Sequence, residues 1–554
     1  MDYDKLAELL FPDITDDPDQ YESRYPERDL PEGACVTRLG PSPTGFIHLG
    51  NLFSAFADER IAHQSGGIFF LRIEDTDDKR FVEGAAETVI RSLDYFGIRF
   101  DEGAGADGDT GAYGPYHQSE RAEIYQAYVK RLVRRGQAYP CFMTEDELAE
   151  IRKTQEENHE NPGIYGKWAK SRDLSYEEIE KRIKAGESYV VRLKSDGFNE
   201  DPEYITVNDA IRGEIKMPEN SMDIVILKAT GIPTYHFAHV VDDHLMRTTH
   251  VVRGEEWLSS LPVHIELFGK MGWKPPVYCH TAHLMKIGEN GTKRKLSKRK
   301  DPELSLDYYR KDGYHPAAVR EYLLMLLNSN FEEWRIANPD TPAEDFDFSV
   351  SKMSNSGALF DLDKLNDVCK DVLVKIPASE LAVFMTNWAE EFKPEALHLF
   401  KGHEDYIAKI LDLGRTGKKP RKDLVCASQI FEFISYFFDE YFKIEEDLPE
   451  RVSKEDGAAI LKAYLETYDH SDDQSAWFDK IRYIADRFGY ARKPKDFKKN
   501  PDDYKGHVGD VSTVIRLAIV GRSQSPDVWE IQQILGKDST EKRIKEFETA
   551  LERA

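Results

Sequence analysis

A histidine in a loop rich in proline and glycine is the first candidate for chemistry in this sequence. The segment 40-GPSPTGFIHLGN-51 joins an apolar run, 34-ACVTRLG-40, to a predicted helix, and it places His48 two residues before Gly50. A bend between a parallel strand and a helix aims backbone N–H groups at the place where phosphates bind. An imidazole in that bend can donate a hydrogen bond to phosphate oxygens. Taken alone, the segment is more typical of an ordinary tight loop with a surface histidine.

Two lysines three residues apart form the second candidate. Lys295 and Lys298 lie in 295-KLSKR-299, which follows Gly288 and Gly291. A loop of this kind can close over a polyphosphate and supply positive point charges. A solvated surface, or a contact with an RNA backbone, is the favoured interpretation of this run by itself.

Acidic residues at the end of a buried strand form the third candidate. The run 68-IFFLRI-73 is a continuous apolar strand of the kind found in parallel sheets, and it leads into 74-EDTD-77. Ligands bind at the carboxyl ends of strands in open α/β sheets, where a carboxylate such as Glu74 can pair with a substrate ammonium. A capped turn is the common alternative.

The elements that must position these residues form a βαβ unit that is interrupted and then resumes. A strand at 34–40, a helix at 49–64, the strand at 68–73 and a helix at about 82–96 alternate in the manner of a parallel sheet. An irregular, polar stretch from about 115 to 222 includes a helical pattern at 120–136. Strand-like runs then return at 223–228, 237–241 and 249–253, followed by a helix at about 258–271. After about 375 the pattern is almost wholly helical.

Composition predicts a soluble protein with several domains. The chain has 554 residues, of which 32% are charged and 40% hydrophobic, and this length exceeds what one core supports. No apolar run reaches the length of a membrane helix, and the acidic N-terminus lacks the positive charge of a secretion signal, so we expect a cytoplasmic protein. The cysteines form no closely spaced pair, which argues against a disulfide framework and a zinc cluster.

Net charge argues against a nucleic-acid partner, but its distribution does not. The formal net charge is -26. Residues 1–33 hold eleven acidic and three basic residues, and we interpret them as an acidic extension without clear periodicity. Basic residues cluster in 293-KRKLSKRK-300, between Arg415 and Lys422, and in 492-RKPKDFKK-499. Each cluster could bind a polyanion locally, although a solvated surface is the more frequent explanation.

Together the three candidate segments are far more specific than each alone. In chain order the sequence has 38-RLGPSPTG-45, 48-HLG-50, 72-RIEDTD-77, 253-RGEEW-257 and 295-KLSKR-299. This series closely resembles the bacterial glutamyl-tRNA synthetases, a family of class I aminoacyl-tRNA synthetases. In that family the second and last segments are the cognates of the "HIGH" and "KMSKS" motifs. The resemblance covers most of residues 34–554 and weakens in the helical C-terminal part.

The resemblance implies a Rossmann-type α/β catalytic domain with an α/β insertion, followed by an all-helical anticodon-binding region. The expected domains are an acidic N-terminal extension (1–33), the first catalytic half (34–114), an acceptor-binding insertion (115–222), the second catalytic half (223–288), the KLSKR loop with a stem-contact region (289–375), and two helical anticodon-binding domains (376–480 and 481–554).

Site residues follow from the same resemblance, position by position. The catalytic residues would be His48, Lys295 and Lys298. The residues that bind ATP would be Thr44, Gly45, His48, Gly50, Trp257, Leu284, Met285 and Lys298. The residues that bind glutamate would be Arg38, Ser42, Glu74, Tyr235, His239 and Arg253. The residues that contact tRNA would be Arg421 and Arg516.

The implied reaction is the ATP-dependent ligation of L-glutamate to tRNA-Glu. Glutamate attacks the α-phosphate of ATP to form glutamyl-adenylate and pyrophosphate, and the acyl group then passes to the 2′-hydroxyl of the terminal tRNA adenosine, with release of AMP. Mg²⁺ would accompany ATP. We expect ATP, L-glutamate and tRNA-Glu as partners, no membrane, and a monomer.

Three features depart from the family's usual pattern. His239 stands where the family usually has Asn, and a histidine there would make glutamate binding depend on pH if it touched the substrate. Bacterial members often have a zinc-binding cysteine cluster in the insertion, but this insertion contains only Cys141, so we predict no zinc. The acidic extension has no assignable counterpart.

Three rival functions make distinguishable predictions. A glutaminyl-tRNA synthetase shares the catalytic core but has β-barrel anticodon domains, which the helical pattern of 376–554 opposes. A shortened paralog that modifies a tRNA base would lack this C-terminal half. A non-catalytic tRNA-binding protein would be expected to have lost His48 or Lys298, and both are present.

Overall fold

The computed structural model describes residues 1–43, 47–77, 82, 84–197 and 202–553. The chain folds into two compact units of different size, and each unit consists of two separate segments of the sequence. Unit 1 contains Met1–Tyr308 and Val319–Leu362, and unit 2 contains Tyr309–Ala318 and Asp363–Ala554. The finer domain boundaries expected from the sequence stay predictions.

The first part of the chain contains both helices and strands. Its helices are α1 (Tyr3–Leu10), α2 (Pro18–Arg24), α3 (Leu49–Gln64), α4 (Ala85–Tyr95), α5 (Ala122–Arg134), α6 (Glu145–Glu157), α7 (Tyr176–Lys184), α8 (Tyr235–Leu245), α9 (Leu261–Met271), α10 (Leu306–Asp312), α11 (Pro316–Leu327) and α12 (Phe331–Ala337). Its strands are β1 (Val36–Leu39), β2 (Ile68–Leu71), β3 (Glu102–Gly103), β4 (Ala138–Cys141), β5 (Val190–Leu193), β6 (Tyr204–Asp209), β7 (Gly213–Pro218), β8 (Val225–Leu227), β9 (His250–Gly254), β10 (Val277–Thr281), β11 (Leu284–Ile287), β12 (Lys293–Lys295) and β13 (Ala358–Leu359).

The candidate segments follow the carboxyl ends of strands that pair in parallel. β1 pairs in parallel with β2, β2 with β3, and β9 with β10. The N–H of Thr249, just before β9, donates to the carbonyl oxygen of Val36 at the start of β1 over 2.9 Å. This hydrogen bond joins the three-stranded sheet of β1, β2 and β3 to the pair β9 and β10 at the amino ends of β1 and β9. The βαβ arrangement predicted from the sequence is therefore confirmed.

The insertion has its own antiparallel sheets. β4, β5 and β8 form one sheet, and β6 and β7 form a hairpin. The strand predicted at 223–228 is present as β8, but it pairs with β5 of the insertion rather than with the parallel layer.

The strand predicted at 237–241 is wrong, because these residues belong to helix α8. Phe237, Ala238, Val240 and Val241 are all buried. A helix covered on nearly every side shows no amphipathic period, and its valines resemble those of a buried strand.

The acidic N-terminal segment is part of unit 1 and contains two helices. Asp2 caps α1 and Asp17 caps α2, each through its side chain. Both helices pack against α5, with Leu6 and Tyr21 among the buried residues.

Unit 2 is helical, as the sequence predicted. Its helices after residue 361 are α13 (Leu362–Leu373), α14 (Ala378–Phe392), α15 (Leu397–Phe400), α16 (Glu404–Asp412), α17 (Ala427–Ile434), α18 (Lys454–Thr467), α19 (Gln474–Arg487), α20 (Pro494–Lys499), α21 (Val508–Val520), α22 (Val528–Leu535) and α23 (Lys537–Arg553). Two short strands, β14 (Tyr490–Ala491) and β15 (Gly506–His507), pair in parallel. Over the described ranges, no helix combines the length and the apolar character that crossing a membrane requires.

Candidate functional site

A cavity of about 680 Å³ opens at the carboxyl ends of the parallel strands. Its wall includes Arg38 and Gly40 at the end of β1, Glu74 beyond β2, Arg253 at the end of β9, and Thr281 at the end of β10. Ligands of open α/β sheets bind in this position because loops and helix N-termini converge there.

His48 lies in the wall of this cavity and also begins helix α3. Its Nδ1 accepts a hydrogen bond from the N–H of Asn51 over 3.3 Å, and the Asn51 side chain accepts from the N–H of His48 over 3.1 Å. Because Nδ1 is an acceptor, the proton of the neutral ring resides on Nε2. Burial lowers the pKa of His48, so the ring is a neutral donor near pH 7.

The two lysines of the KLSKR loop have different positions. Lys295 lines the cavity, and its Nζ lies 3.3 Å from Nε2 of His283. Lys298 is exposed and is not among the described residues that line the cavity. Asp301 holds the loop, because its carboxylate accepts from the N–H of Ser297 over 2.8 Å and from both terminal nitrogens of Arg294 over 2.6 Å.

Two arginines and two carboxylates form a buried ionic network at the base of the cavity. Arg38 Nε lies 3.2 and 3.3 Å from the two carboxylate oxygens of Asp243. Arg72 donates to Asp243 over 2.7 Å and to Glu74 over 3.0 Å. Burial alone would raise the pKa of Asp243, but the charges of Arg38 and Arg72 outweigh it and hold that pKa well below its usual range. Burial raises the pKa of Glu74 despite the same two arginines.

Gly40 lets the carboxylate of Glu74 approach the chain. A Cβ at Gly40 would lie 2.4 Å from Oε1 of Glu74. That distance is shorter than any real approach of a Cβ, so a side chain at Gly40 would displace the carboxylate from the cavity wall.

Arg253 differs from Arg38 and Arg72 in having no carboxylate partner among the residues that the structure describes. Its Nε donates to Nε2 of His280 over 3.0 Å, and its Nη1 lies 3.1 Å from Nδ1 of His264. Its Nη2 is buried and has no hydrogen-bond partner among the described residues. An aromatic pair, Tyr235 and Trp257, lines the same cavity with ring centroids 4.4 Å apart.

His239 lies behind this wall and is fully buried. Its Nδ1 lies 2.8 Å from Oδ2 of Asp243, and its Nε2 lies 3.3 Å from the hydroxyl of Tyr278. Burial outweighs the nearby Asp243 and lowers the pKa of His239 to about 3. Its charge therefore does not change near neutral pH, and a contact between His239 and the substrate stays a prediction.

The structure brings most of the predicted site residues together, although their roles stay predictions. Those that line the cavity are Arg38, Ser42, His48, Gly50, Glu74, Tyr235, Arg253, Trp257, Leu284 and Lys295. Within the described ranges His239, Met285 and Lys298 do not line it, and Thr44 and Gly45 lie outside those ranges.

Sequence reasoning missed several polar residues of the cavity and its base. Lys228 lines the cavity and donates to the carbonyl oxygen of Thr76 over 2.6 Å. The exposed carboxylate of Glu256 also lies in the wall. Lys228 ends a strand-like run of the sequence, and this position at a carboxyl end is the signal that could have identified it.

The basic residues proposed for unit 2 are not equivalent. Arg415 is buried, and its Nη2 donates to the carbonyl oxygens of Leu373 and Ile376, so it stabilises the fold instead of forming an open basic surface. Arg421 is half-buried, and its Nε donates to Asp423 over 2.6 Å. Arg516 donates to the carbonyl oxygen of Ser523 over 3.0 Å, and burial lowers its pKa.

Two parts of the chain match known family models. Residues 34–367 match the model described as "tRNA synthetases class I (E and Q), catalytic domain". Residues 495–547 match the model described as "Anticodon binding domain".

Similar proteins and structures cover nearly the whole chain. A protein named "Glutamate--tRNA ligase" from Acetivibrio thermocellus is 65% identical over 546 residues, which are 98% of this chain and 100% of that protein. A protein of the same name from Clostridium perfringens strain SM101 is 49% identical and covers 99% of this chain and 100% of that protein. The crystal structure of a glutamate tRNA ligase from Elizabethkingia meningosepticum, in complex with its amino acid, has a TM-score of 0.75 at 29% identity, covering 93% of this chain and 99% of that one. The chain belongs to the glutamate--tRNA ligase family of class I tRNA synthetases.

Proposed function

We propose that this protein ligates L-glutamate to tRNA-Glu through glutamyl-adenylate. The observation that carries the proposal is the buried Arg253, which lines the cavity with one nitrogen unpartnered among the described residues and no carboxylate beside it there. A buried guanidinium of this kind fits a carboxylate ligand, and bidentate or charge-assisted pairs are the strong ones. The substrates named for its relatives support glutamate as that ligand.

Glutamate would bind at the base of the cavity, between Glu74, Arg38 and Arg253. Glu74 would pair with the substrate ammonium, while Arg38 and Arg253 would each face one carboxylate. Because Asp243 already neutralises part of the charge of Arg38 and Arg72, Arg253 contributes the larger uncompensated positive charge. Glutamine would forfeit charge-assisted bonds at that nitrogen and leave the guanidinium poorly paired.

ATP would bind along the wall that His48 and Lys295 share. The Nε2–H of His48 and the ammonium of Lys295 would stabilise charge that grows on the α-phosphate as the substrate carboxylate attacks and pyrophosphate leaves. Lys298 would join them through movement of the KLSKR loop, since it lies outside the cavity wall here. The terminal tRNA adenosine would then attack the acyl carbon through its 2′-hydroxyl and release AMP.

Magnesium would enter with ATP rather than in a protein cage. The described residues include no group of three or more His, Cys, Asp and Glu side chains arranged to hold a metal. Mg²⁺ commonly keeps several waters and uses one or two carboxylates plus substrate phosphates. The cavity wall offers such carboxylates in Asp77 and in the exposed Glu256. The Mg²⁺ ion would neutralise part of the negative charge of the phosphates.

Aminoacylation of purified tRNA-Glu and tRNA-Gln, each with glutamate and with glutamine, tests the proposal. We expect glutamate to be attached to tRNA-Glu with release of AMP and pyrophosphate. Efficient attachment of glutamine to tRNA-Gln would instead favour the glutaminyl function. The arm with tRNA-Gln and glutamate also measures how strictly the tRNA is selected.

Variants of His48 separate its catalytic role from its capping role. His48→Asn keeps a side-chain acceptor at the start of α3, whereas His48→Ala removes it at a cost of about 1 kcal/mol. Both variants should lower the rate of adenylate formation roughly 10²- to 10³-fold, with little change in glutamate KM. Lys298→Ala should behave like His48→Asn. Near-normal turnover of His48→Asn and Lys298→Ala at saturating ATP would contradict the assignment.

A further inference from the structure

Two neutral histidines from different elements hold Arg253 in place. His280 comes from β10 and His264 from α9, and both are fully buried. A guanidinium has donors only, so Nε2 of His280 and Nδ1 of His264 must present lone pairs to Arg253. Neither ring can therefore be protonated at that nitrogen while these hydrogen bonds exist.

The acceptor role of His280 fixes its proton on the opposite nitrogen. Its Nδ1 lies 2.6 Å from Oδ2 of Asp209, the last residue of β6, so Nδ1–H donates to this carboxylate. Asp209 is itself held by the backbone, because its Oδ1 accepts from the N–H groups of Ile211 and Arg212 over 2.9 Å each. A chain of directed hydrogen bonds thus runs from the β6–β7 hairpin to the guanidinium.

His264 is oriented in the same way from the other side. Since its Nδ1 accepts from Arg253, its Nε2 carries the proton and points at Nδ1 of His236, 3.0 Å away. His236 lies at the start of α8 next to Tyr235, which lines the cavity. The guanidinium is therefore clamped at two of its three nitrogens.

This clamp leaves one nitrogen and the full charge of Arg253 available to a ligand. Nη2 has no partner in the described part of the chain, and the residue lines the cavity. Carboxylate partners would have held the same guanidinium but neutralised it, as Asp243 does for Arg38. Imidazole acceptors hold it without removing its charge.

We propose that Asp209, His280 and His264 are positioning residues that aim Nη2 of Arg253 at the side-chain carboxylate of glutamate and thereby set the preference for glutamate over glutamine. This inference rests on the proposed function, in which Arg253 binds glutamate. The three residues touch Arg253 or one another rather than the substrate.

Asp209→Asn is the sharpest test. The amide oxygen of the new side chain can keep the bonds to Ile211 and Arg212, while its NH₂ group faces Nδ1 of His280. His280 must then carry its proton on Nε2, where it opposes the Nε–H of Arg253. We expect glutamate KM in aminoacylation to rise at least about tenfold, with kcat changed far less, and the ratio of kcat/KM for glutamate to that for glutamine to fall.

Two variants of His280 complete the series. His280→Leu removes the acceptor and should match Asp209→Asn. His280→Gln can present its amide oxygen where Nε2 stood, and it should restore glutamate KM to within a few-fold of wild type. Thermal unfolding of each variant monitors folding, and Asp209→Asn decides if His280→Leu does not fold.

The outcomes distinguish this inference from the proposed function. Arg253→Lys, which loses the fork, should raise glutamate KM, and an unchanged KM in that variant would overturn the assignment of Arg253 to the substrate. If Arg253→Lys is impaired while Asp209→Asn and His280→Leu keep the wild-type KM and the wild-type preference for glutamate, only the positioning inference fails. A fall in melting temperature without a change in KM or preference would also overturn it.

Discussion

At the scale of single residues, burial decides how the histidines near the cavity behave. Burial lowers the pKa of His239 to about 3, lowers the pKa of His264 well below its usual range, and also lowers the pKa of His280. Each ring is therefore neutral at physiological pH. Neutral rings act as hydrogen-bond acceptors of fixed direction, which is the property that Arg253 uses.

His239→Asn should flatten the dependence of stability on pH. The unfolded state binds a proton at His239 below its ordinary pKa of 6.5, whereas the folded state does so only near 3. The contribution of His239 to the free energy of unfolding is therefore complete above pH 6.5. It decreases as the pH falls below 6.5, by up to about 1.4 kcal/mol per pH unit. The variant should lack that contribution in urea unfolding measured between about pH 7.5 and pH 5.

The same variant tests whether His239 takes part in substrate recognition. Since the ring is buried and stays neutral, glutamate KM should follow the same pH profile in wild type and His239→Asn. A lower KM at acidic pH that disappears in the variant would show that the ring does contact the substrate. If the free energy of unfolding depended on pH in the same way in wild type and in His239→Asn, that result would contradict a buried, neutral His239.

The sequence pointed to several residues of the cavity wall but not to the clamp on Arg253. His48, Glu74 and Lys295 lie in short runs that are each typical of an ordinary loop, turn or surface, and only their order along the chain, which resembles that of a known family, indicated a common site. Asp209, His264 and His280 lie in three different elements, and each is an ordinary residue in its own surroundings. Only tertiary packing brings them to one guanidinium, so no pattern along the chain could indicate it.

At the scale of elements, two adjacent glycines after α3 have different physical reasons. Gly66 has a φ of +72°, and a Cβ there would meet only Pro31 at 3.9 Å. Gly67 lies against the neighbouring strand, and its Cβ would lie 1.8 Å from the carbonyl oxygen of Cys35. The first glycine permits a left-handed turn, and the second permits β2 to approach β1.

Alanine substitutions should separate these two reasons. Gly66→Ala should destabilise the protein by about 1–2 kcal/mol, the cost of a left-handed non-glycine residue. Gly67→Ala should cost more than about 4 kcal/mol, because backbone atoms must separate to admit the methyl group. Chemical denaturation of the two variants measures the difference, and equal losses of stability would show that the strands can move apart.

The N-terminal segment is a second element whose role became clear only from packing. Its sequence indicated only an acidic extension without clear periodicity, and in the structure Lys130 of α5 is buried against it. The Nζ of Lys130 donates to Glu8 over 2.8 Å and to the carbonyl oxygens of Phe11 and Ile14 over 3.0 and 2.8 Å. Farther along, Glu22 accepts from Nη2 of Arg247 over 3.3 Å, so the segment also fastens to the end of α8.

Lys130→Met should loosen this segment, whereas Arg131→Ala should not. The first variant leaves two carbonyl oxygens and Glu8 without their donor and should cost about 2–4 kcal/mol. The ion pairs of Arg131 with Asp17 and Asp19 involve exposed carboxylates, so their removal should cost less than about 1 kcal/mol. Hydrogen exchange of residues 3–24 and urea unfolding measure both, and equal effects would contradict a buried anchor.

At the scale of the whole molecule, the chain has to bind a polyanion while carrying a net charge of -26. Local basic surfaces can do so because exposed charges farther apart than about 8 Å are largely screened at physiological salt. In unit 2 the exposed basic residues include Lys418 and Lys419 in one cluster and Lys498 and Lys499, at the end of α20, in another.

Charge reversal identifies the basic surface that binds tRNA. Glutamate substitutions at Lys418 and Lys419, or at Lys498 and Lys499, should weaken tRNA binding and reduce the slope of log K against log salt by roughly 1 for each phosphate that the protein no longer neutralises. The same reversal at Lys401 and Lys409, exposed lysines outside both clusters, is the matched control. Equal slopes in the test and control proteins would show that the clusters are only solvated.

Unit 2 is built from two separate segments of the chain, and this affects both its folding during synthesis and the way the protein can be cut into fragments. Residues 309–318 belong to unit 2, yet they are synthesised before 319–362, which belong to unit 1. In unit 2 the N–H of Ala427 donates to the carbonyl oxygen of Gly313 over 2.9 Å, and the indole of Trp388 donates to that of Lys311 over 2.8 Å. During synthesis, residues 309–318 therefore cannot form these hydrogen bonds until the ribosome has made the last segment of unit 1 and then Trp388 and Ala427. A gene fragment that starts at residue 363 would encode unit 2 without it, so exchange of the anticodon-binding part between relatives has to transfer two separate pieces of sequence.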